Sequence, residues 1–236
     1  MAGYLHFATE NFSYETDTEA LLAETRKSYG EGCLAAHALD LIGDRWALLI
    51  VRELMLGPRR FGAIKARLPG IATNMLTRRL ADLEAAGVLT HTTLPPPAAV
   101  PVYELTPQGL GLWPILRELC RWAVTVPGHD PRLPISPVAL MLSMQTMLRP
   151  AAGVIAAGFG MEDESFLVTT DGERIETVRA VLPAGEMQFE APPNLMAAVI
   201  YGPQPLAAQI AAGTLRFTGD PERGQAFVDR FRLGPV

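Results

Sequence analysis

Two kinds of side chain recur at helical spacing along the segment Thr73–Ala85, TNMLTRRLADLEA. Leu76, Leu80 and Leu83 stand at i, i+4 and i+7, so they share one face of a helix and must be buried. Asn74, Arg78, Ala81 and Ala85 fall on the opposite side, with Thr73 and Thr77 on one flank. Thr, Asn and Arg carry donors and acceptors that match base edges in a major groove, and a guanidinium also holds phosphate. A leucine seam behind and these groups in front are what a groove-reading helix needs. The spacing places Thr73 as the N-cap and Gly87 as the residue that ends the helix.

Other chemistry finds little support. There is no G-x-S-x-G, no Gly-rich phosphate loop followed by Lys and no H-E-x-x-H, and His6, His37, His91 and His129 are scattered. No catalytic residue, metal site or cofactor is therefore expected. Glu162, Asp163 and Glu164 read as a solvated turn. Cys33 and Cys120 are far apart, with no metal spacing around them, and read as reduced thiols.

The net charge of −5 taken alone argues against a polyanion partner. Between Arg45 and His91, however, Arg45, Arg52, Arg59, Arg60, Lys65, Arg67, Arg78 and Arg79 face only Glu53, Asp82 and Glu84. Local sign matters to a nucleic acid more than the total. With 236 residues, 49% of them apolar and 19% charged, the chain is long enough for two soluble domains. No stretch reads as a membrane span, and the first residues lack the pattern of a secretory signal, so a cytoplasmic protein is expected.

The elements that must position the reading helix follow from the pattern on either side. Residues 1–31 read as an N-terminal arm whose amphipathic part, DTEALLAETRKSYG, is expected to pack on a partner subunit. Residues 32–126 begin with a helix bearing Leu34, Ala38, Leu41 and Ile42, broken at Gly43. Asp44 is expected to cap a second helix, with Trp46, Leu49, Ile50 and Leu54 on one face, which Gly57-Pro58 ends. Two short helices joined by Pro69-Gly70 come next, the second being the reading helix. VLTHTTL and PVYELT then read as a strand pair with a proline-rich tip. Thr106 caps a further segment with Pro107 at its first position and a break near Pro114. Its wide stripe of Leu112, Ile115, Leu116, Leu119, Trp122 and Ala123 suggests a subunit interface.

Residues 127–136 have the proline and glycine content of a semi-rigid linker. Residues 137–236 read as a methionine-rich helix, four strands of an antiparallel sheet with a hairpin at Asp171-Gly172, two helical pieces, a late strand and a closing helix. The whole is an α+β arrangement.

The run CLAAHALDLIGDRWALLIVRELMLGPRRFGAIKARLPGIATNMLTRRLADLEAAGVL, followed by VYELTPQG, resembles the HxlR-type winged helix-turn-helix transcriptional regulators, relatives of the MarR group. The resemblance implies a homodimer whose second helix-turn-helix helix enters the major groove. By position, Thr73, Asn74, Thr77 and Arg78 would face bases or nearby phosphates, with Arg78 on a guanine and Asn74 on an adenine as the specific pairings. Arg59, Arg60 and Arg79 would hold the DNA backbone. Family wings usually carry an arginine near the tip; here the tip is PPPAAVP, so His91 on the strand is the expected wing contact with a phosphate. Cys33 sits where such regulators often have a cysteine, which in some of them senses oxidants or electrophiles. That chemistry needs an accessible thiol of lowered pKa, to which Arg26, Lys27 or His37 would contribute, and the alternative is a half-buried cysteine at a helix start.

The stretch EAPPNLMAAVIYGPQPLAAQIAAGTLRFTGDPERGQAFVDRF resembles the sterol-carrier-protein type domains. In that family the sheet and helices can enclose an apolar tunnel, which implies a small apolar ligand held by Met144, Phe159, Phe166, Phe189, Met196 and Tyr201. The reading is a dimeric regulator, expected to be a repressor, with an operator in double-stranded DNA as its partner and a C-terminal ligand sensor. Two alternatives stay open. One is a lipid-binding or carrier protein using the helix-turn-helix as a dimer scaffold, and the other a regulator whose C-terminal domain only makes dimer or partner contacts.

Overall fold

The structure is a computed structural model that describes residues 28–234. Most of the amphipathic N-terminal segment lies outside the described residues. The described residues fall into two compact units, divided between Asp44 and Arg45. In the first, helix α1 spans Leu34–Ile42. The Asp40 carboxylate accepts from the Ser28 hydroxyl at 2.8 Å and the Tyr29 amide at 2.9 Å.

The second unit opens with α2, Ala47–Leu54. Its N-cap is Trp46, in the left-handed region at φ 82, with no side-chain cap, so the expected Asp44 cap is not what starts this helix. Helices α3, Phe61–Ala66, and α4, Thr73–Ala85, follow, and then the antiparallel pair β1, Leu89–Thr93, and β2, Pro101–Leu105. The hydrophobic periodicity is realised in part: Leu34 of α1 and Leu49 of α2, expected on apolar faces, are exposed. Ile50, Val51 and Leu54 of α2, Ile64 of α3, Leu76, Leu80 and Leu83 of α4, and Val102 of β2 are all buried.

After β2 the chain makes the short helix α5, Pro107–Leu110, and then α6, Trp113–Ala123. The break lies just ahead of Pro114, which sits in the first turn of α6. Thr106 caps α5 by accepting from the Gly109 amide at 3.2 Å. Its hydroxyl also donates to the Gly87 carbonyl at 2.6 Å, which ties α5 to the end of α4.

The linker stretch is pinned rather than loose. Asn194 donates to the Leu133 carbonyl at 2.8 Å, and its own oxygen accepts from the Ile135 amide at 3.3 Å. Helix α7, Pro137–Met147, is capped by the Ser136 hydroxyl, which accepts from the Ala139 amide.

Then come strands β3, Ile155–Met161, β4, Glu164–Thr170, β5, Ile175–Ala180, and β6, Met187–Glu190. Helices α8, Pro193–Tyr201, and α9, Leu206–Ala211, strand β7, Arg216–Thr218, and helix α10, Pro221–Val228, complete the chain. The five-stranded sheet has the order β5-β4-β3-β6-β7, and β3 pairs with β6 in parallel.

That parallel pairing corrects the expected antiparallel sheet. The chain leaving β5 must return across the sheet to start β6 beside β3. It does so over Gly158, where an added Cβ would stand 2.3 Å from the Ala184 carbonyl oxygen. Only a residue without a side chain lets the crossover lie this close. Among the described residues no helix is long and apolar enough to cross a membrane, and no cluster of His, Cys, Asp or Glu could hold a metal.

Candidate nucleic-acid interface

Helix α4 is held from behind by its buried leucines and stopped sharply at its end. Gly87, at φ 69, takes the left-handed conformation there. Its amide donates to the Glu84 carbonyl at 2.9 Å, and the Val88 amide donates back to Leu83 at 2.9 Å. This pair of bonds is a Schellman ending, for which glycine is the favoured residue. The start differs from expectation. Thr73 is the first helical residue rather than the cap; Ala72 is the N-cap and offers no side-chain acceptor. The Thr73 side chain is thus left at the exposed front of the first turn, where backbone amides favour an anion.

Thr73, Asn74, Thr77 and Arg78 are all exposed on the first half of α4. The Arg78 side chain is 64% exposed and its contact with Asp82 is long, at 4.0 Å. Thr77 turns its hydroxyl back to the Thr73 carbonyl at 3.0 Å, and the Asn74 oxygen accepts from the Met75 amide at 2.8 Å. These are local bonds that a base edge or phosphate can replace. Arg60, at the start of α3, is exposed, as is Lys65. His91 lies on β1, exposed and stacked on Tyr103 with ring centroids 4.5 Å apart. Its amide donates to Glu84 at 3.0 Å.

Arg59 and Arg79 are placed elsewhere. Arg79 is buried and donates to Asp82 at 2.6 Å. Arg59 is 6% exposed, and its guanidinium is bonded to Glu164 and lies 3.9 Å from Glu53, which is fully buried. Desolvation lowers the Arg59 pKa, as does the nearby Arg179, against the pull of the two carboxylates. Both guanidiniums are thus buried against carboxylates, whereas the expected place for both was on the DNA backbone. The reason is one of charge. Glu53 sits on the apolar side of α2 and cannot be buried without a cation.

The same network corrects the solvated-turn expectation in part: Glu162 and Asp163 are exposed, but Glu164 is buried. The turn between β3 and β4 places Glu162, Asp163 and Glu164 on Arg67, which follows α3. Partial burial opposes the Arg67 charge, but the hydrogen bond to Glu162 and the three carboxylates hold its pKa above the usual value. Arg179 of β5 also pairs with Glu164 and donates to the Leu56 carbonyl at 2.9 Å. Ser136 donates to Glu53 at 2.6 Å, and Arg52 lies 2.9 Å from the same carboxylate. The one sequence signal for this cluster is Glu53 itself, a charge set between Ile50 and Leu54 on an apolar helix face.

Cys33 is exposed at the N-cap of α1. Its thiol is held below the usual value by the amides of Ala36 and Ala35. Arg26 and Lys27 lie outside the described residues. Of the residues expected to hold an apolar ligand, Met144, Phe159, Phe166, Phe189 and Met196 come together as fully buried core. Phe159 and Phe189 stack at 5.1 Å, and Phe227 lies 6.0 and 5.9 Å from them. Tyr201 is packed against this core, its hydroxyl 2.8 Å from Ser143, and burial pushes its phenol up. An open cleft of about 650 Å³ is lined by other residues, Arg149, Asp229, Arg232, Leu233 and Gly234.

The comparisons with known proteins fall on the winged part. The HxlR-like helix-turn-helix family matches residues 41–129. The HTH-type transcriptional regulator YvaP of Bacillus subtilis is 40% identical over 36% of this chain and 80% of its own length. YodB of the same organism is 37% identical over 36% of this chain and 77% of its own. The structure of reduced YodB, 34% identical, matches 42% of this chain and all of that one, with a TM-score of 0.38. On the strength of relatives this similar over most of their length, this chain belongs to the HxlR-like helix-turn-helix family.

Proposed function

We propose that the protein is a homodimeric, sequence-specific DNA-binding transcriptional regulator of the cytoplasm, a binding protein rather than an enzyme. The observation that carries this is helix α4, which exposes Thr73, Asn74, Thr77 and Arg78 on one side while Leu76, Leu80 and Leu83 lock the other. Arg78 and Asn74 have the donor and acceptor geometry for a guanine and an adenine respectively. Arg60, Lys65 and His91 are the exposed groups suited to phosphate. They replace the wider basic set legible in the sequence, because Arg52, Arg59, Arg67 and Arg79 are engaged by carboxylates.

The dimer is supported by α6 and the residues after it. Ile115, Leu119, Trp122 and Val126 recur at helical spacing and are exposed, Trp122 by 66%. An apolar stripe of this kind is suited to a second copy of itself. Two α4 helices then enter successive major grooves about one DNA turn, roughly 34 Å, apart. Repression follows if the bound site overlaps a promoter.

The C-terminal part is read as sterol-carrier-like from its order of helix, sheet, two helices, strand and helix. Sensing a small apolar ligand there requires the stack of Phe159, Phe189 and Phe227 to part, so ligand uptake would come with a rearranged core. Solvent extraction of the purified protein followed by mass spectrometry tests for such a molecule.

Selection from a pool of random duplexes tests the regulator itself. The expected result is a two-fold symmetric site, with Trp122→Glu giving a monomer that no longer selects it. A pool that emerges unenriched would refute sequence-specific reading.

A further inference from the structure

We propose that the acidic turn Glu162–Asp163–Glu164 of the C-terminal part positions the helix-turn-helix for DNA, acting through Arg67 and Arg59. This rests on the DNA-binding reading above. Arg67 stands at the C-cap of α3, just ahead of the Pro69-Gly70 turn into α4. Arg59 stands just ahead of α3 and pairs backbone to backbone with Tyr103 of β2. The acidic turn therefore grips the first helix of the motif at both ends, with Glu164 common to the two arginines.

Two further observations indicate that the grip is built. Met161 and Glu164 are paired, so Glu162 and Asp163 make a two-residue hairpin loop. Glu162 has φ 56, the left-handed region in which such loops ordinarily place glycine. A carboxylate is kept at a strained position, where it meets Arg67. The second observation is Arg179, which joins Glu164 to the Leu56 carbonyl and so anchors the turn to the end of α2 as well. With the turn in place, α3 is held against α2, and α4 can present its front in one orientation.

The sign of the effect on DNA separates positioning from plain charge. Glu162→Gln with Asp163→Asn removes two negative charges from an anionic protein, which by long-range electrostatics alone strengthens binding to a polyanion. Positioning demands the reverse: affinity for the selected site falls about tenfold, the effect of one lost charge-assisted bond network. Both side chains are partly exposed, Asp163 by 81%, so this variant keeps its core. Glu164→Gln strikes the shared carboxylate and is expected to act more strongly. Should it fail to fold, the double variant decides.

The test pairs DNA affinity with amide hydrogen exchange in the DNA-free protein, full chain in each case. In the double variant, exchange is expected to quicken across residues 61–72 and to stay unchanged in the β1–β2 hairpin. Unchanged exchange in 61–72, or tighter binding to the selected site, would overturn the proposal. Should the wild type select no DNA at all, the regulator reading fails by itself, and the exchange measurement still decides whether the turn holds the motif.

Discussion

Arg59 and Arg60 are neighbours with opposite fates, and the difference is carried by what each side chain can reach. Arg59 lies inward among Glu53 and Glu164, whereas Arg60 is exposed at the start of α3. Removing one partner of a buried ion pair strands the other, so Arg59→Ala is expected to cost about 3–5 kcal/mol of stability in a denaturant melt. Arg60→Ala should change stability by no more than about 0.5 kcal/mol, and should lower the salt dependence of DNA binding by about one unit of slope. Equal effects of the two on stability would contradict the placement. Cys33 belongs to the same scale. Because the Ala36 and Ala35 amides lower its pKa while desolvation raises that of Cys120, Cys33 is expected to alkylate at the lower pH of the two. Peptide mapping of the labelled thiols against pH checks this, and coincident profiles would contradict it. The reading face of α4 was legible in the sequence because helical period alone separates Leu76, Leu80 and Leu83 from Asn74 and Arg78. The fate of Arg59 was not, since its partner Glu164 lies far along the chain, where composition resembles any exposed acidic turn.

At the scale of elements, local signals and long-range pairing were unequally readable. The Thr106 cap, the Gly87 stop and the Asp171-Gly172 hairpin each depend on a few adjacent residues, and each stands in the structure as the sequence indicates. The parallel pairing of β3 with β6 depends on a crossover that no local pattern records. It is marked instead by Gly158, whose missing side chain reads in the sequence as an ordinary strand glycine. Gly158→Ala is expected to lose about 1–3 kcal/mol, because the new methyl group meets the backbone of Ala184. Gly62→Ala on α3, where a Cβ meets nothing within 4 Å, is expected to be neutral or to stabilise by up to about 1 kcal/mol. Denaturant midpoints compare the pair, and equal shifts would contradict the crossover over Gly158.

Within the unit Arg45–Val236, the helix-turn-helix head and the five-stranded sheet are held together by charge as well as packing. Met55, Leu56 and Trp113 of the head lie against the C-terminal hydrophobic core, beside the cluster around Glu164. The ligand expectation is answered differently at this scale, since apolar side chains in a strand or helix look alike in the sequence whether they line a tunnel or fill it. Here Phe159, Phe189 and Phe227 pack against one another in the core. What the molecule does with α4 is most directly tested by fluorescence-anisotropy binding to the DNA upstream of its own gene, over a salt series, beside Arg78→Ala. Tight binding that weakens with salt, discriminates against unrelated DNA and is lost with Arg78→Ala is the expected result. Equal, weak binding to every duplex, unchanged by the substitution, would contradict the assignment of α4 as the reading helix.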